Sequence, residues 1–449
     1  MFSKILVANR GEIAVRVIRA CRELGIRTVA VYSTADAEAL AVQLADEAVC
    51  IGPAPARNSY LHIPNVIGAA LKTGADAIHP GYGFLSEDPY FSEICADNGI
   101  VFIGPPPQVM EAVGDKAQAR ALMAEAGLPL LPGTATPVNS LEEAYAAAEQ
   151  IGYPVILKAV AGGGGRGIGV VPEFADMRHA YTTTRASARA TLGDSSIYLE
   201  RYLPSARHIE VQVVCDQYGN AVHLGERDCS VQRRHQKLIE EAPSPAVDAG
   251  LREELGEVAL RGAKALGYRG AGTVEFLLDD DGRFWFMEMN ARIQVEHPVT
   301  EMVTGVDLIR EQIQVAAGQP LSVEQGSVRL TGHAIECRIN AEDVARGFAP
   351  TPGRLDVFQA PSGPGTRVDT HCVPGTAIPP SYDSMIAKLI TWGRDRPDAL
   401  DRMRRALAEL RVAGRGISTT VPFHQSVIDH PAFRAGDVRT DFLARYLGM

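Results

Sequence analysis

Residues 4–32 read KILVANRGEIAVRVIRACRELGIRTVAVY, and this stretch decides the fold of the first part of the chain. Residues 5–8 form an apolar run that predicts a buried strand, and residues 28–32 predict a second one. Between them, residues 11–24 have the spacing of an amphipathic helix, which Gly25 ends. The apolar face of that helix consists of Ile13, Val17, Ile18, Cys21 and Leu24. The stretch is therefore a strand–helix–strand unit, which is typical of a parallel sheet covered by helices.

The same alternation of short strands and helices continues outward from this unit. Further strands are predicted at residues 77–79 and 101–103. The first turn, Asn9-Arg10-Gly11-Glu12, lacks the glycine fingerprint of dinucleotide-binding folds. A boundary near residue 114 is indicated by Gly104-Pro-Pro-Pro and by Gly114-Asp-Lys116. We therefore expect an α/β domain at the N-terminus.

The pattern changes in the middle of the chain. From about residue 154 to 290 short β-rich runs are joined by turns at 216–219 and 279–282, which predicts antiparallel hairpins. A helix is predicted over residues 307–317, closed by Gly318. The third part opens with a strand at residues 333–339. Its alternation places Ala334, Glu336 and Arg338 on one face and Ile335, Cys337 and Ile339 on the other.

The composition limits the class of protein. A chain of 449 residues, 46% hydrophobic and 22% charged, is expected to form about two to four packed domains. A formal net charge of −10 argues against general nucleic-acid binding. The chain shows no signal peptide and no apolar run of about 18 residues, so no membrane association is expected. Seven scattered cysteines without zinc-site spacing favour reduced thiols and a cytoplasmic location.

A glycine-rich loop, Ala161-Gly-Gly-Gly-Gly-Arg-Gly-Ile-Gly169, follows a strand that ends at Lys158. Gly162, Gly164 and Gly167 match GxGxxG, but the loop leads into a strand-like run, so a dehydrogenase is not supported. Glycine N–H groups can approach phosphate oxygens closely. With Lys158 beside it, the loop predicts nucleotide-phosphate binding, and the alternative is a flexible hairpin tip. The sequence contains no GxxxxGK followed by Ser or Thr, so a P-loop ATPase is not supported either.

Two carboxylates occur in a predicted hairpin, residues 272–290. If its turn centres on residues 280 and 281, Glu275 lies opposite Phe286, and Glu275, Glu288 and Asn290 emerge on the same face. Both acids lie among large apolar residues, where unpaired like charges would be unfavourable by several kcal/mol. Oxygen ligands favour Mg²⁺ or Mn²⁺ as the counter-ion. The alternative is a pair of solvated acids at exposed strand ends.

Two polar segments flank this hairpin in sequence. Residues 225–237 are dense in charge, which is typical of a solvated face, although an apolar frame around them also permits a cationic wall beside an active site. For His208, a surface position is the default expectation. Residues 290–300 combine a cation, an amide, a carboxylate and an imidazole. Because Pro298 disfavours a continuing helix, we expect a polar loop, suited to binding a small anion and abstracting a proton.

Together these segments resemble the biotin carboxylase family, within the ATP-grasp superfamily, and the resemblance runs through essentially the whole chain. It rests on residues 8–14 (ANRGEIA), 79–87 (HPGYGFLSE), 114–116 (GDK), the glycine loop, 226–230 (ERDCS), 232–237 (QRRHQK), 287–300 (MEMNARIQVEHPVT) and 382–384 (YDS). All of these motifs in order are far more specific than any one of them. The sequence departs from the family pattern at Val160, Ile168 and Arg201, which bears on loop closure and not on the reaction.

The resemblance implies three domains. These are an N-terminal α/β domain with a parallel sheet at residues 1–114, an ATP-grasp domain at 115–330 with a glycine-loop lid at about 131–203, and a mainly antiparallel C-terminal domain at 331–449.

The resemblance also implies a role for individual residues. The residues matched to ATP binding are Lys116, Lys158, Gly164, Gly165, Glu200, Arg201, Leu203, His208, Gln232, His235, Glu275 and Glu288. Those matched to two divalent metal ions, Mg²⁺ or Mn²⁺, are Glu275, Glu288 and Asn290. Those matched to bicarbonate are Lys237, Arg292, Gln294, Val295 and Glu296. Of the residues matched to catalysis, Lys237 and Arg292 belong to the bicarbonate pocket, Glu296 is the general base, and Arg338 stabilises the biotin enolate.

The reaction implied by the resemblance is ATP-dependent carboxylation of biotin through carboxyphosphate, as the first half-reaction of acetyl-CoA carboxylase in fatty acid synthesis. No lysine signature for biotin attachment is present, so biotin is expected to arrive on a biotin carboxyl carrier protein. Carboxyltransferase subunits and a homodimer are the other implied partners. The alternatives are a subunit of propionyl-CoA or pyruvate carboxylase, another ATP-grasp ligase, and a catalytically dead homologue. The last two explain less well why Arg292, Glu296, Arg338 and the metal residues occur together.

Overall fold

The first part of the chain is a five-stranded parallel sheet with the strand order β3-β2-β1-β4-β5, which confirms the predicted α/β architecture. The computed structural model describes residues 1–134, 136–160 and 167–448. The strands are β1 (Lys4–Val7), β2 (Arg27–Ser33), β3 (Glu47–Gly52), β4 (Ala77–His79) and β5 (Val101–Phe102). The helices are α1 (Gly11–Glu23), α2 (Leu40–Leu44), α3 (Ile63–Thr73), α4 (Pro89–Asp97) and α5 (Pro107–Gly114). Helix α1 buries Ile13, Val17, Ile18 and Cys21, as its periodicity predicts.

A small three-stranded antiparallel sheet follows, with the order β7-β6-β8. Its strands are β6 (Val155–Ala159), β7 (Ile168–Val171) and β8 (Ile197–Arg201), and the helices around it are α6 (Lys116–Glu125), α7 (Leu141–Ile151) and α8 (Met177–Leu192). Strand β7 begins at Ile168, within the last residues of the glycine-rich segment 161–169, so this segment leads into a strand and not into a helix, as expected. Gly164 and Gly165 lie outside the described residues.

Eight of the remaining strands form an antiparallel sheet with the order β13-β12-β9-β10-β11-β14-β21-β19. Its first five strands are β9 (Arg207–Cys215), β10 (Ala221–Arg233), β11 (Gln236–Ala242), β12 (Gly270–Leu278) and β13 (Phe284–Asn290). Its last three are β14 (His333–Asn340), β19 (Thr366–Thr370) and β21 (Met385–Gly393). Because β11 pairs with β14, one sheet continues from the middle of the chain into the C-terminal part.

The other elements cover this sheet or form short ribbons. The helices are α9 (Ala249–Ala265), α10 (His297–Thr304), α11 (Leu308–Ala316), α12 (Arg396–Glu409), α13 (Val421–Asp429), α14 (Pro431–Arg434) and α15 (Phe442–Leu447). The ribbons are made of β15 (Glu342–Asp343), β16 (Ala349–Pro350), β17 (Gly353–Arg354), β18 (Val357–Gln359), β20 (Ala377–Ile378) and β22 (Arg411–Ala413). Within the described ranges, every helix is too short or too polar to cross a bilayer.

The hairpin of β12 and β13 has a different register from the predicted one. Glu275 lies opposite Glu288, not Phe286, and Phe286 lies opposite Phe276. The predicted symmetric turn was wrong for two reasons. The loop is one residue longer, and the Asp279 N–H donates to the Arg283 carbonyl across it. In addition, Met287 is the extra residue of a β-bulge. The two shifts leave Glu275, Glu288 and Asn290 on one face, as predicted.

The segment around Pro298 also differs from the expected polar loop. The loop ends at Glu296, and α10 begins at His297 with Pro298 in its first turn. Proline is well suited to this place, since the first N–H groups of a helix have no partner within it. Pro298 therefore marks the start of a helix, not an extension of the loop to Thr300.

The packing of Phe276 gives a prediction for stability. This side chain is 0% exposed, and its ring centroid lies 5.4 Å from that of Phe284. We expect Phe276→Ala to destabilise the fold by about 3–5 kcal/mol, because the lost burial is compounded by a cavity. The matched control is Phe174→Ala, whose side chain is 55% exposed and whose loss changes stability by under about 1 kcal/mol. Denaturant unfolding measures both changes, and equal losses would contradict the packing described.

Candidate active site

Strand β9 supplies a polar face inside the molecule. It is buried along its whole length, and its alternation turns Ile209, Val211 and Val213 into the apolar core. His208, Glu210 and Gln212 therefore project from the other face. Sequence reasoning did not single out Glu210, although the alternation of residues 208–213 carries the signal. His208 is buried, so its default surface position is wrong.

Arg227 on β10 organises this polar face. Its side chain is 0% exposed and donates to Gln212 at 2.8 Å and to Thr273 at 3.1 Å, as well as to Glu210. The solvated-face interpretation of residues 225–237 is accordingly wrong for residues 226–231, which are buried, and correct for residues 234–236, which are exposed. Because apolar segments lie on both sides of β10, the charged residues 226–231 are in the interior of the protein.

Lys237 on β11 lies at the centre of the polar face. Its Nζ is 2.9 Å from the Glu275 carboxylate and 2.7 Å from that of Glu296, and it also donates to Glu210. Burial alone would lower the Lys237 pKa, but these carboxylates outweigh burial and raise the pKa well above its usual range. Burial alone would likewise raise the Glu296 pKa, but Lys237 and Arg338 hold it well below its usual range. Both shifts favour the ionised forms of Lys237 and Glu296.

The predicted metal residues meet on one side of Lys237. The Asn290 amide donates to Glu275 at 2.8 Å, and the His208 Nε2 lies 2.9 Å from the other Glu275 oxygen. Glu288 is half exposed, and the Lys116 Nζ lies 3.9 Å from it. Carboxylate and amide oxygens are the donors that Mg²⁺ and Mn²⁺ prefer, so this side chain set fits either ion.

Two of the predicted nucleotide residues, Lys116 and Glu288, line a cavity of about 210 Å³. Lys116 begins α6 and lines this cavity, and burial lowers its pKa although Glu288 acts in the opposite direction. Glu200 is buried on β8 and accepts hydrogen bonds from Lys158 and Arg120. The other residues predicted to bind the nucleotide include the half-buried Arg201, Leu203 and Gln232 and the exposed His235.

The loop of residues 291–296 connects β13 to α10 and contains the predicted anion residues. Glu87 accepts hydrogen bonds from the Ala291 N–H at 3.0 Å and from the Arg292 guanidinium at 2.8 Å. Arg292 also donates to the Gln294 side chain at 3.0 Å. Sequence reasoning placed Glu87 in the 79–87 motif without assigning it a contact. The structure shows that it connects the N-terminal sheet to the loop.

Arg338 approaches the same loop from β14. Its guanidinium donates to Glu296 at 2.9 Å and to Glu240 at 2.6 Å, so the predicted face of this strand is confirmed. Glu240 is fully buried, and burial raises its pKa to about 7 against the opposing effect of Arg338. The two oxygens of Glu296 are thus divided between Lys237 and Arg338. Two cations from different strands therefore converge on one carboxylate of the polar loop.

Models of protein families match nearly the whole chain. The model described as biotin carboxylase, N-terminal domain, matches residues 1–110, and the biotin carboxylase C-terminal domain matches residues 336–445. Residues 115–324 match the ATP-binding domain of the carbamoyl-phosphate synthase L chain. A curated biotin carboxylase from Nostoc is 54% identical over 442 residues, covering 98% of each chain.

Solved structures similar to this chain come from the same family as the matching family models. A biotin carboxylase from Campylobacter jejuni, described as a β-γ-ATP complex, has a TM-score of 0.97 and 48% identity and covers 99% of each chain. The biotin carboxylase domain dimer of the Hydrogenobacter thermophilus 2-oxoglutarate carboxylase has a TM-score of 0.96 and 47% identity, covering 100% of this chain and 98% of its own. That structure contains MgADP, ADP and bicarbonate.

The shared cation predicts how stability depends on pH. Lys237→Met removes the ammonium group that Glu275 and Glu296 share and leaves their carboxylates buried. This loss should destabilise the protein by about 3–5 kcal/mol near neutral pH. In the wild type the pKa values of Glu275 and Glu296 are lowered, so their contribution is present above the unfolded-state pKa of about 4.3 and is lost as pH falls. In the variant these pKa values rise, so the two carboxylates take up protons as pH falls. The loss in free energy of unfolding relative to the wild type should therefore become smaller from about pH 8 to about pH 5.

The measurement is denaturant unfolding of wild type and variant across this range. The control is Arg283→Met, which removes a side chain that is 63% exposed and pairs with Asp279 at 2.9 Å. That exposed pair should contribute under about 1 kcal/mol with little dependence on pH. A deficit for Lys237→Met that stays constant with pH would refute the shared-charge description.

Proposed function

The chain belongs to the biotin carboxylase family, and from this premise we propose that it is an ATP-dependent ligase that carboxylates biotin with bicarbonate. The observation that carries the proposal is the position of Lys237. It joins Glu275, a residue of the proposed metal face, to Glu296, a residue of the proposed bicarbonate loop. Phosphoryl transfer and activation of bicarbonate therefore share one cluster of ionised side chains.

For the nucleotide, we propose that Lys116 and Lys158 bind the phosphates of ATP and that Gly164 and Gly165 close over them. The residues proposed to complete the ATP site are Glu200, Arg201, Leu203, His208, Gln232, His235, Glu275 and Glu288. Glu275, Glu288 and Asn290 are proposed to hold two Mg²⁺ or Mn²⁺ ions. Such ions, when bound, neutralise phosphate charge during phosphoryl transfer.

We propose that bicarbonate binds among Lys237, Arg292, Gln294, Val295 and Glu296. Its negative charge competes with Glu296 for the neighbouring cation Lys237. As Lys237 turns to the substrate, the pKa of Glu296 rises, and the carboxylate can accept the bicarbonate proton. The deprotonated oxygen then attacks the γ-phosphoryl group, which breaks its bond to ADP and yields carboxyphosphate.

Carboxyphosphate breaks down to CO₂ and phosphate, and phosphate takes the ureido proton of biotin. The ring nitrogen attacks CO₂ while negative charge develops on the ureido oxygen. Arg338 is always cationic and is held by Glu240 and Glu296, so it is suited to stabilise that oxygen. Closure of the glycine-loop lid would protect carboxyphosphate from water.

The carrier, the oligomer and the final acceptor are further proposals. We propose that biotin arrives on a carrier protein, that carboxyltransferase subunits accept the carboxyl group for acetyl-CoA, and that the chain forms a homodimer. The Hydrogenobacter relative is a domain dimer in a carboxylase with another acceptor, 2-oxoglutarate. The domain division at residues 114 and 330 is proposed as well. Identifying the biotinylated protein that co-purifies would test the choice of acceptor.

The proposed metal face gives a test of the first half-reaction. Wild-type ATP turnover should require Mg²⁺ or Mn²⁺ together with bicarbonate, and biotin should accelerate it. Glu288→Gln keeps the shape of the side chain but removes its charge, so turnover should fall about a hundredfold or more with the fold intact. Glu149→Gln, an exposed change on α7, is the matched control. Turnover by the wild type in bicarbonate-free buffer, or full activity of Glu288→Gln, would contradict the proposal.

A second test separates the two half-reactions. Glu296→Ala should depress ATP cleavage and biotin carboxylation together, because no carboxyphosphate forms. Arg338→Ala should retain some ATP cleavage but lose about a hundredfold or more of carboxylation, since charge on the biotin oxygen is no longer stabilised. The measurement is the ratio of carboxybiotin formed to ADP released. This ratio should drop sharply in Arg338→Ala, and an unchanged ratio would assign Arg338 to bicarbonate binding or to structure.

A further inference from the structure

Two consecutive carbonyls of the loop are held from the buried side. The Gln294 carbonyl accepts a hydrogen bond from the His297 Nδ1 at 2.8 Å. The Val295 carbonyl accepts one from the Lys388 Nζ, also at 2.8 Å. His297 and Lys388 are both 0% exposed, and neither is used in the reaction described above.

These hydrogen bonds fix the direction of the loop's N–H groups. The described cis peptide bonds are Tyr153–Pro154 and Ala242–Pro243, so the peptides of this loop are trans. In a planar trans peptide the N–H points opposite to the carbonyl. Because His297 holds the Gln294 carbonyl, the Val295 N–H points away from His297. Lys388 in the same way sets the direction of the Glu296 N–H.

We infer that His297 and Lys388 are positioning residues, and that they turn the N–H groups of Val295 and Glu296, respectively, towards the bicarbonate pocket. This inference rests on the proposed function, since it assumes that the loop binds bicarbonate. An N–H donor that is already oriented requires no rearrangement when the anion binds. The loop would otherwise have to order its peptide planes at the expense of affinity for bicarbonate.

The surroundings of Lys388 compensate for the burial of its positive charge. Its Nζ lies 3.1 Å from Glu12 and 4.0 Å from Asp369, and these carboxylates offset its removal from water. Tyr82 donates to the same Glu12. Glu12 and Tyr82 belong to the 8–14 and 79–87 motifs, so two motifs of the N-terminal part meet the loop through Lys388.

Lys388 also lies directly beside the proposed enolate-stabilising group. In the pairing of β14 with β21, Arg338 and Lys388 are opposite each other and therefore share one face of the sheet. Arg338 reaches the side chain of Glu296, whereas Lys388 reaches the backbone of Val295. One cross-strand pair thus contacts two consecutive residues of the loop, Val295 and Glu296.

His297 is suited to its role in the neutral form. A carbonyl can only accept, so Nδ1 carries the proton. Burial holds the pKa of His297 well below its usual range, and Lys388 and Arg16 act in the same direction. The ring therefore donates to Gln294 without adding a charge beside Lys388.

The test compares Lys388→Met with a matched set of variants. Removing the lysine leaves the Glu12 carboxylate without its cation, and this can destabilise the fold independently of any effect on the bicarbonate pocket. The double variant Lys388→Met with Glu12→Gln removes that unpaired charge while the Val295 carbonyl still lacks its donor. Glu12→Gln alone keeps Lys388 on Val295 and is the control. Steady-state KM for bicarbonate, KM for ATP, kcat and MgADP affinity are measured for each.

We expect both Lys388→Met proteins to raise the bicarbonate KM about tenfold or more. The ATP KM and MgADP affinity should stay within about twofold, and Glu12→Gln should resemble the wild type. His297→Leu should raise the bicarbonate KM, and His297→Asn, whose amide can replace the Nδ1 donor, should restore part of the loss. This selective effect is one that a purely structural role would not produce.

Several results would overturn the inference. These are an unchanged bicarbonate KM in the double variant, a parallel rise in both KM values, or recovery of the wild-type bicarbonate KM when Glu12→Gln is added. An inactive wild type would refute the proposed function and the inference with it. An active wild type whose Lys388 and His297 variants keep their bicarbonate KM would refute the inference alone.

Discussion

The shared ion pair of Lys237 is the interaction on which the rest of the structure depends. One ammonium group serves three buried carboxylates, Glu210, Glu275 and Glu296, which come from β9, β12 and the loop before α10. A single cation cannot balance three anions, so each carboxylate needs a second partner. Arg227 is the second cation for Glu210 and Arg338 is the second cation for Glu296. Glu275 instead has the His208 ring and the Asn290 amide within hydrogen-bonding distance.

This constraint explains why the large sheet is continuous. Apart from Glu296 on its loop, the residues of this charged network lie on β12, β9, β10, β11 and β14, which are five consecutive strands of the sheet. Their separation in sequence is large, but their separation in space is set by strand pairing. A rigid antiparallel sheet therefore holds the side chains in place before any substrate arrives, which favours catalysis by preorganised charge. The N-terminal part contributes through Glu87, which contacts the loop, and through Glu12, which pairs with Lys388.

Much of the site could be predicted from the sequence because side-chain alternation has a period of two. That rule alone placed Glu275, Glu288 and Asn290 on one face, and Arg338 on the polar face of its strand. The exact register was wrong, since it depends on a longer turn that the Asp279 side chain stabilises by accepting from the Asp281 and Arg283 N–H groups. The sequence pattern does not show such a turn or the bulge at Met287.

The residues that sequence reasoning missed share another property. Glu210 and Lys388 are ordinary charged residues until their partners are known, and these partners lie far away in sequence. Lys388 meets Val295 across 93 positions, and Glu210 meets Lys237 across 27. His208 was expected at the surface for the same reason, as its partner Glu275 is 67 positions away. Family resemblance identified residues with direct roles, whereas the residues that position them required the fold.

The central claim, that bicarbonate attacks ATP and its carbon is then delivered to biotin, is tested most directly with bicarbonate labelled with oxygen-18. Carboxyphosphate keeps one bicarbonate oxygen between carbon and phosphorus, and its breakdown leaves that oxygen on phosphate. Mass spectrometry of the phosphate released while carboxybiotin forms should therefore find one labelled oxygen per phosphate. Unlabelled phosphate, formed at the same rate as carboxybiotin, would contradict the account, because it would mean that water and not bicarbonate attacks the nucleotide.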